Sequence, residues 1–305
     1  MPTLTIFTPA YNRAHTLPRT YASLLAQKSR DFVWLIIDDG STDGTEDLVR
    51  GWMNSDNGFE IRYIRKENGG MHTAHNTAYE NIDTELNVCI DSDDALAENA
   101  VEIILSEWKR VKSTGVAGLI GLDADFSGNI IGTRFPDGVT ETTLSGFYAA
   151  GGSGDKKLVY RTDIITSVPP YPVFDGEKYV ALAYKYLLVD QKYKMAAINR
   201  VLCSVEYQPH GSSNSMWRQY LANPRGFAFW RKVCMTYPTS RNRLFVDCVH
   251  YCSSSVIAKN RNYIKESPRK FLTVLCTPMG WLLTQFIRLK GRKNEICSCC
   301  HHSGI

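Results

Sequence analysis

Acidic residues are nearly missing from the last part of this chain: residues 216–305 hold 3 Asp or Glu against 15 Lys or Arg, whereas residues 1–215 hold 28 against 20. That break implies two parts with different partners. An acidic body that handles phosphates needs a metal ion or backbone donors, and a basic tail is suited to anionic lipid or nucleic acid. A disulfide framework is also lacking, because nine cysteines in a chain of 305 residues are scattered and odd in number. No signal-like apolar segment precedes the first strand pattern, so a reducing, cytoplasmic setting is expected. Long apolar runs are absent as well. The longest uncharged stretch, Phe271 to Ile287, has 17 residues and is broken by Pro278 and Gly280. It lies at the bottom of the length range for a spanning helix, and a full crossing is not expected. There is no internal repeat. The terminal Cys297-Ser298-Cys299-Cys300-His301-His302 is too crowded to resemble a zinc site and reads as a tail.

What is present is an ordinary globular composition, 44% hydrophobic and 22% charged, sufficient for one sizeable α/β domain plus an appendage. The pattern predicts strands over 3–8, 33–38, 61–64 and 86–91, each followed by a helix, over 17–26, 45–53, 73–79 and 97–111. Alternation of this kind gives a parallel sheet. Ligands then bind beyond the carboxyl ends of the strands, so the loops 9–13, 38–44 and 91–94 should converge on one edge. Beyond residue 122 the alternation weakens into glycine-rich sequence, and from Met216 aromatic and basic residues recur at helical spacing.

The pentad Ile90-Asp91-Ser92-Asp93-Asp94 puts three carboxylates where a buried strand leaves the sheet. Carboxylates so placed can hold Mg²⁺ or Mn²⁺ together with substrate phosphates, and they can equally cap the helix that follows. Asp38-Asp39-Gly40-Ser41-Thr42-Asp43-Gly44 also works as a plain turn. The adjacent Asp38 and Asp39 nevertheless repel each other in a way that a turn does not need, which favours a carboxylate kept to accept a nucleobase imide or a ribose hydroxyl.

Together the motifs Thr8-Pro9-Ala10-Tyr11-Asn12-Arg13, Asp38-Asp39-Gly40-Ser41-Thr42-Asp43, Asn68-Gly69-Gly70 with Ala74-His75-Asn76, and Asp91-Ser92-Asp93-Asp94 resemble family 2 glycosyltransferases of the GT-A fold, in order and approximate spacing. Gly154-Asp155-Lys156, the 174–180 segment and Glu206-Tyr207 with Gly211-Ser212 resemble a bacterial subgroup that builds surface polysaccharides. The resemblance implies a GT-A domain over 1–215, Rossmann-like with a mostly parallel sheet flanked by helices, and a helical C-terminal extension over 216–305. It implies inverting transfer of a sugar from a nucleotide-diphosphate donor, of UDP type, to a saccharide or lipid-linked acceptor, with Mn²⁺ or Mg²⁺ as cofactor.

Carried over position by position, Pro9, Ala10, Tyr11 and Arg13 match the nucleoside loop, and Asp39 with Asp38 matches the base-recognising acid. Asn68, Gly69, Gly70 and His75 fall in the next donor segment, where His75 replaces a common Arg. Asp91 and Ser92 contact the donor, Asp93 with Asp91 ligates the metal, and His210 is a late ligand candidate. Inversion requires a carboxylate base. Because Leu182 stands where an acid is common, Glu177 is the first candidate and Asp175 the second.

Lys265, Arg269, Lys270, Arg288, Lys290, Arg292 and Lys293 flank the apolar run that contains Trp281, Leu282, Leu283 and Phe286. Such a segment can lie in the headgroup plane of an anionic membrane, which leads to an expectation of peripheral contact at the inner face of the cell membrane. No nucleic-acid motif accompanies it, so nucleic acid is not expected as a partner. Two rivals remain: a nucleotidyltransferase, for which Pro9-Ala10-Tyr11-Asn12 lacks the Gly-rich basic signature, and a catalytically silent scaffold at the membrane, suggested by His75 and Leu182.

Overall fold

A computed structural model describes residues 2–206 and 216–299, with side chains as far as Gly291. Two compact units result, one of residues 2–171 with 185–206, the other joining residues 172–184 to the C-terminal helices.

The first unit opens with β1 (Leu4–Ala10), α1 (Leu17–Leu25), β2 (Phe32–Asp38), α2 (Thr45–Met53), β3 (Glu60–Arg65), α3 (Met71–Asn81) and β4 (Leu86–Cys89). Then come β5 (Ala95–Leu96), α4 (Ala100–Val111), β6 (Gly118–Ala124), β7 (Glu141–Thr142), α5 (Leu144–Ala149), β8 (Lys156–Arg161), α6 (Thr162–Ser167), α7 (Ala183–Asp190) and β9 (Met195–Ser204). Every residue of β1 and β2 is buried, as expected for near-continuous apolar runs covered by helices on both faces. β3, β2, β1 and β4 pair in parallel in that order. The chain builds outward from β1 to β3 and then returns to β4 on the other side of β1, which makes a topological switch point. β8 continues the sheet antiparallel to β4, and β6 and β9 run parallel to each other beyond it. Leu4, Ile6, Trp34, Ile36, Val88 and Ile104 share one core, which fixes the strand ends that carry the loops.

One element departs from the sequence pattern. The fourth helix begins at Ala100 rather than Ala97, because Ala95 and Leu96 first pair with Ser204 and Cys203. Asp94 therefore heads a strand and does not cap α4.

The second unit contains α8 (Met216–Ala222), α9 (Pro224–Thr236), α10 (Arg241–Ile257), α11 (Tyr263–Glu266) and α12 (Lys270–Cys299). Its small core gathers Met235, Cys248, Tyr251, Cys252 and Cys276, and the buried Arg231 guanidinium pairs with Asp247 at 2.6 Å.

Candidate functional site

At the end of β1 the chain must turn sharply, and Asn12 does so at φ 55°, a left-handed conformation that Asn tolerates better than most side chains. Four bonds then fasten this loop to the one after β2. Asn12 N–H donates to Ser41 Oγ at 2.9 Å, Thr42 N–H to Asn12 Oδ1 at 2.8 Å, Arg13 N–H to Thr45 Oγ1 at 3.0 Å, and Ala14 N–H to Asp43 Oδ2 at 3.1 Å. Pro9 and Ala10 are buried, while Tyr11 is 48% exposed.

Asp38 and Asp39 divide the work. Asp38 is fully buried and holds its own loop, accepting from Ser41 N–H at 2.7 Å and Tyr63 Oη at 2.5 Å. Asp39 reaches the opposite way: its Oδ1 accepts from Lys66 Nζ at 2.6 Å and Gly69 N–H at 2.9 Å, and its Oδ2 from Gly70 N–H at 2.7 Å. These amides lead into α3, so Asp39 acts as a remote anionic cap. A carboxylate has about four lone-pair sites, so Oδ2 can accept one more donor. Asn68 Nδ2 completes the junction on Asp39 O at 2.8 Å. Gly40, at φ 81°, has to be glycine here, since an added Cβ would lie 3.0 Å from Asn68 N.

Across the switch point, Asp91 and Asp93 are half-buried and Ser92 is buried. Among the described residues Asp91 Oδ1 meets the Cys89 thiol, at 3.9 Å, and the Asp93 carboxylate has no hydrogen-bond partner. Burial pushes the Asp91 carboxyl above its ordinary value, with Lys157 and Arg13 opposing the rise and Asp93 adding to it. Asp94 lies deeper, pushed up to about 7 by burial. The half-buried Lys157 ammonium stands 4.0 Å from both Asp94 Oδ2 and Asp123 Oδ1. Burial opposes its charge, but Asp123, Cys203, Asp94 and Asp91 together keep it protonated.

This donor set fits a hard divalent cation. Asp93, whose carboxylate has no hydrogen-bond partner among the described residues, and Asp91, which meets the Cys89 thiol at 3.9 Å, offer oxygen ligands, and Lys157 answers the charge of the acids behind them rather than that of Asp93. No group of three or more His, Cys, Asp or Glu converges among the described residues, so substrate oxygens would have to complete the shell. His210, the late ligand candidate, lies outside the described residues.

His75 lies with no exposed surface, edge-on to Phe7, Tyr79 and Tyr171, and its Nε2 is 3.6 Å from Cys89 Sγ. Burial pushes it down to about 3, so it is a neutral core side chain behind the acid loop. His72, which the sequence motifs do not mark, is 2% exposed, has no partner for either ring nitrogen among the described residues, and is pushed down to about 4 by burial.

Both histidines bind a proton more readily when the chain is unfolded, so the stability they allow is complete above about pH 6.5 and falls as the pH drops toward 4. Each should cost about 2 kcal/mol at pH 5, at 1.36 kcal/mol per pH unit below the unfolded value. Asp94 acts with the opposite sign, so the effect is read as a difference between proteins. In urea unfolding at pH 7 and pH 5, the His72→Gln, His75→Gln variant should lose markedly less stability than the intact chain; equal losses would contradict this account.

Lys157 and Asp123 were also missed. A lysine entering the apolar run Leu158-Val159-Tyr160 was the available signal, since a charge inside a buried strand needs a partner.

In the second unit, Glu177 is buried and its carboxylate accepts three hydrogen bonds. Oε1 accepts from Arg225 N–H at 3.0 Å and Arg225 Nε at 2.9 Å, and Oε2 from Gly226 N–H at 2.8 Å, at the first turn of α9. In the turn that leads to Glu177, Asp175 is exposed, and its carboxylate has no partner among the described residues.

Residues 5–155 match the description Glycosyl transferase family 2. The chain carries a family 2 glycosyl transferase domain. Chondroitin synthase of Escherichia coli is 32% identical over 142 residues, 44% of this chain and 19% of that protein. The chain thus spans less than a fifth of that relative's length. Among solved structures, Staphylococcus aureus TarS 1-349 in complex with UDP-GlcNAc superposes with TM-score 0.58 at 13% identity, covering 96% of this chain and 92% of TarS 1-349. A mannosyltransferase from Pyrobaculum calidifontis, in complex with GDP-Man and Mn²⁺, gives TM-score 0.56 at 16% identity over 95% of this chain and 83% of its own. Those likenesses establish the fold. The family 2 domain has the expected GT-A architecture, with its motif loops at the carboxyl ends of β1, β2 and β4.

Proposed function

We propose that this chain is a metal-dependent, inverting glycosyltransferase that moves a sugar from a UDP-type nucleotide donor to a saccharide or lipid-linked acceptor in surface-polysaccharide synthesis, at the cytoplasmic face of the cell membrane. The observation that carries the reading is the placing of Asp91 and Asp93, the latter's carboxylate without a hydrogen-bond partner among the described residues, and of the Asp39 carboxylate across one switch point of a family 2 domain. The UDP-GlcNAc bound by TarS and the polysaccharide made by the chondroitin synthase support the donor and product classes.

In this reading the nucleoside lies along the Pro9–Arg13 loop under Tyr11, and the free lone pair of Asp39 Oδ2 accepts the uracil imide N–H. Asp93, with Asp91, would hold Mn²⁺ or Mg²⁺, which neutralises the charge that grows on the departing diphosphate. Arg13, whose charge already acts on Asp91, supplies a second positive group near that diphosphate. The acceptor hydroxyl needs a carboxylate to take its proton as it attacks. Asp175 is our base of choice over Glu177, because Asp175 is exposed while the buried Glu177 carboxylate is held by three donors of α9 and faces the Arg225 guanidinium.

Titration calorimetry with UDP and Mn²⁺ tests the donor assignment. Binding by the intact chain that weakens at least about tenfold when Mn²⁺ is withheld is the expected result. Heat from GDP but not from UDP would overturn the base assignment, and no heat from either would overturn the whole reading.

A further inference from the structure

Among the described residues one segment, Lys270–Gly291 of α12, is long and apolar enough to cross a membrane. Its sidedness is inverted for a helix of a water-soluble bundle. The face turned to the protein carries Thr273, Cys276, Gly280, Thr284, Ile287 and Gly291, all buried and mostly small or hydroxylated. The face turned outward carries Phe271, Leu275, Leu282, Phe286 and Leu289, with Leu282 62% and Leu289 63% exposed and Trp281 at its margin. The inner set recurs every three or four residues and the outer set at three, four or seven, all helical spacings, so they are opposite sides of one cylinder.

The small inner face lets α12 approach α10 closely: a Cβ on Gly280 would lie 2.4 Å from Cys252 Cβ, and Ser253 Oγ and Thr284 Oγ1 are 3.0 Å apart. Small residues and hydroxyl pairs between helices are the packing used where the surroundings are lipid. The exposed stripe has defined borders. Arg288 and Lys290 flank it near one end, and Lys265, Arg269 and Lys270 precede the other, all exposed. An apolar stripe edged by cations matches acyl chains beneath anionic headgroups.

We infer that the outward stripe of α12 is a membrane-binding surface that lies in the plane of an anionic bilayer, with Phe271, Leu275, Leu282, Phe286 and Leu289 among the acyl chains and Lys270, Arg288 and Lys290 at the phosphates. The helix rests on the membrane and does not cross it, because its inner face is committed to α10. That neighbour buries Asp247 against Arg231, an ion pair that would be carried into hydrocarbon if α12 crossed. The inference rests on the membrane part of the proposed function and does not depend on the donor chemistry.

Flotation of the full chain with vesicles of phosphatidylcholine alone, or with phosphatidylglycerol added, tests it. The intact chain should float with the anionic vesicles and be released by high salt or by alkaline carbonate. Leu275→Glu combined with Leu282→Glu should reduce the floated fraction at least about tenfold, since two leucines that enter the acyl chains are replaced by charges. These positions are exposed, so melting temperature and UDP binding should be unchanged. Failure of the intact chain to float, or equal flotation of the variant, would overturn the inference. Retention after carbonate would overturn the in-plane arrangement. A dimer in light scattering that the double variant dissolves, without vesicle binding, would assign the stripe to a second copy of the chain. Loss of UDP binding by the intact chain speaks against the donor reading alone, so the two failures are separable.

Discussion

Asp93→Ala is expected to transfer sugar at least about a thousandfold more slowly than the intact chain while keeping its melting temperature. The metal that Asp93 would hold offsets charge on the leaving diphosphate, which is worth several kcal/mol of transition-state stabilisation, at 1.36 kcal/mol per tenfold in rate. Stability should be unaffected because the Asp93 carboxylate makes no hydrogen bond among the described residues, and its removal leaves no buried donor unsatisfied. Asp94→Asn provides the contrast. It alters a buried acid beside Lys157, so its larger effect should fall on folding. Single-turnover rates with saturating donor and Mn²⁺, alongside thermal melts, separate the two. An Asp93→Ala rate within tenfold of the intact chain would remove the acid loop from the chemistry.

Asp175→Asn should slow transfer by about a hundredfold or more while donor affinity stays within about twofold, since a positioned base contributes about 10²–10⁴ and takes no part in holding the donor. Glu177→Gln is expected to behave differently. The amide keeps an acceptor oxygen but loses the charge that faces Arg225 and the first amides of α9, so stability should fall by about 1.5–3 kcal/mol, as for other hydrogen bonds to charged groups. Transfer by the folded fraction should change little. The decisive comparison is kcat, donor Kd and urea midpoint for both variants. Full turnover by Asp175→Asn with a collapse of kcat in a stable Glu177→Gln protein would return the base to Glu177.

The parallel half of the sheet and its loops were legible because their information is local. β1 and β2 are unbroken apolar runs, and each ends in a motif whose glycines and acids declare a turn. Side-chain direction was not legible in the same way. Asp38 and Asp39 look equivalent in sequence, but consecutive residues at a strand end point to opposite faces, and only pairing with Tyr63 and Lys66 reveals which one is buried. The same holds for His75, whose helical position gave no sign that Phe7, Tyr79 and Tyr171 would enclose it. β5 escaped notice because two residues are too few to show periodicity, and its partner β9 lies about a hundred residues on. Glu177 is the first candidate base in the sequence because it is a nearby acid where Leu182 replaces the common one, and its engagement with Arg225 and Gly226, nearly fifty positions away, is a tertiary fact.

The Asp39 carboxylate is tied to three nitrogens of the following loop before any ligand arrives. Changing the preferred nucleobase by exchanging this residue would also unmoor the entrance to α3, so a lineage or an engineer seeking a new donor meets a folding penalty at that position. Tyr11, exposed and with no side-chain hydrogen bond among the described residues, carries no such burden. In the proposed reading, donor preference should therefore drift through Tyr11 while Asp39 stays fixed.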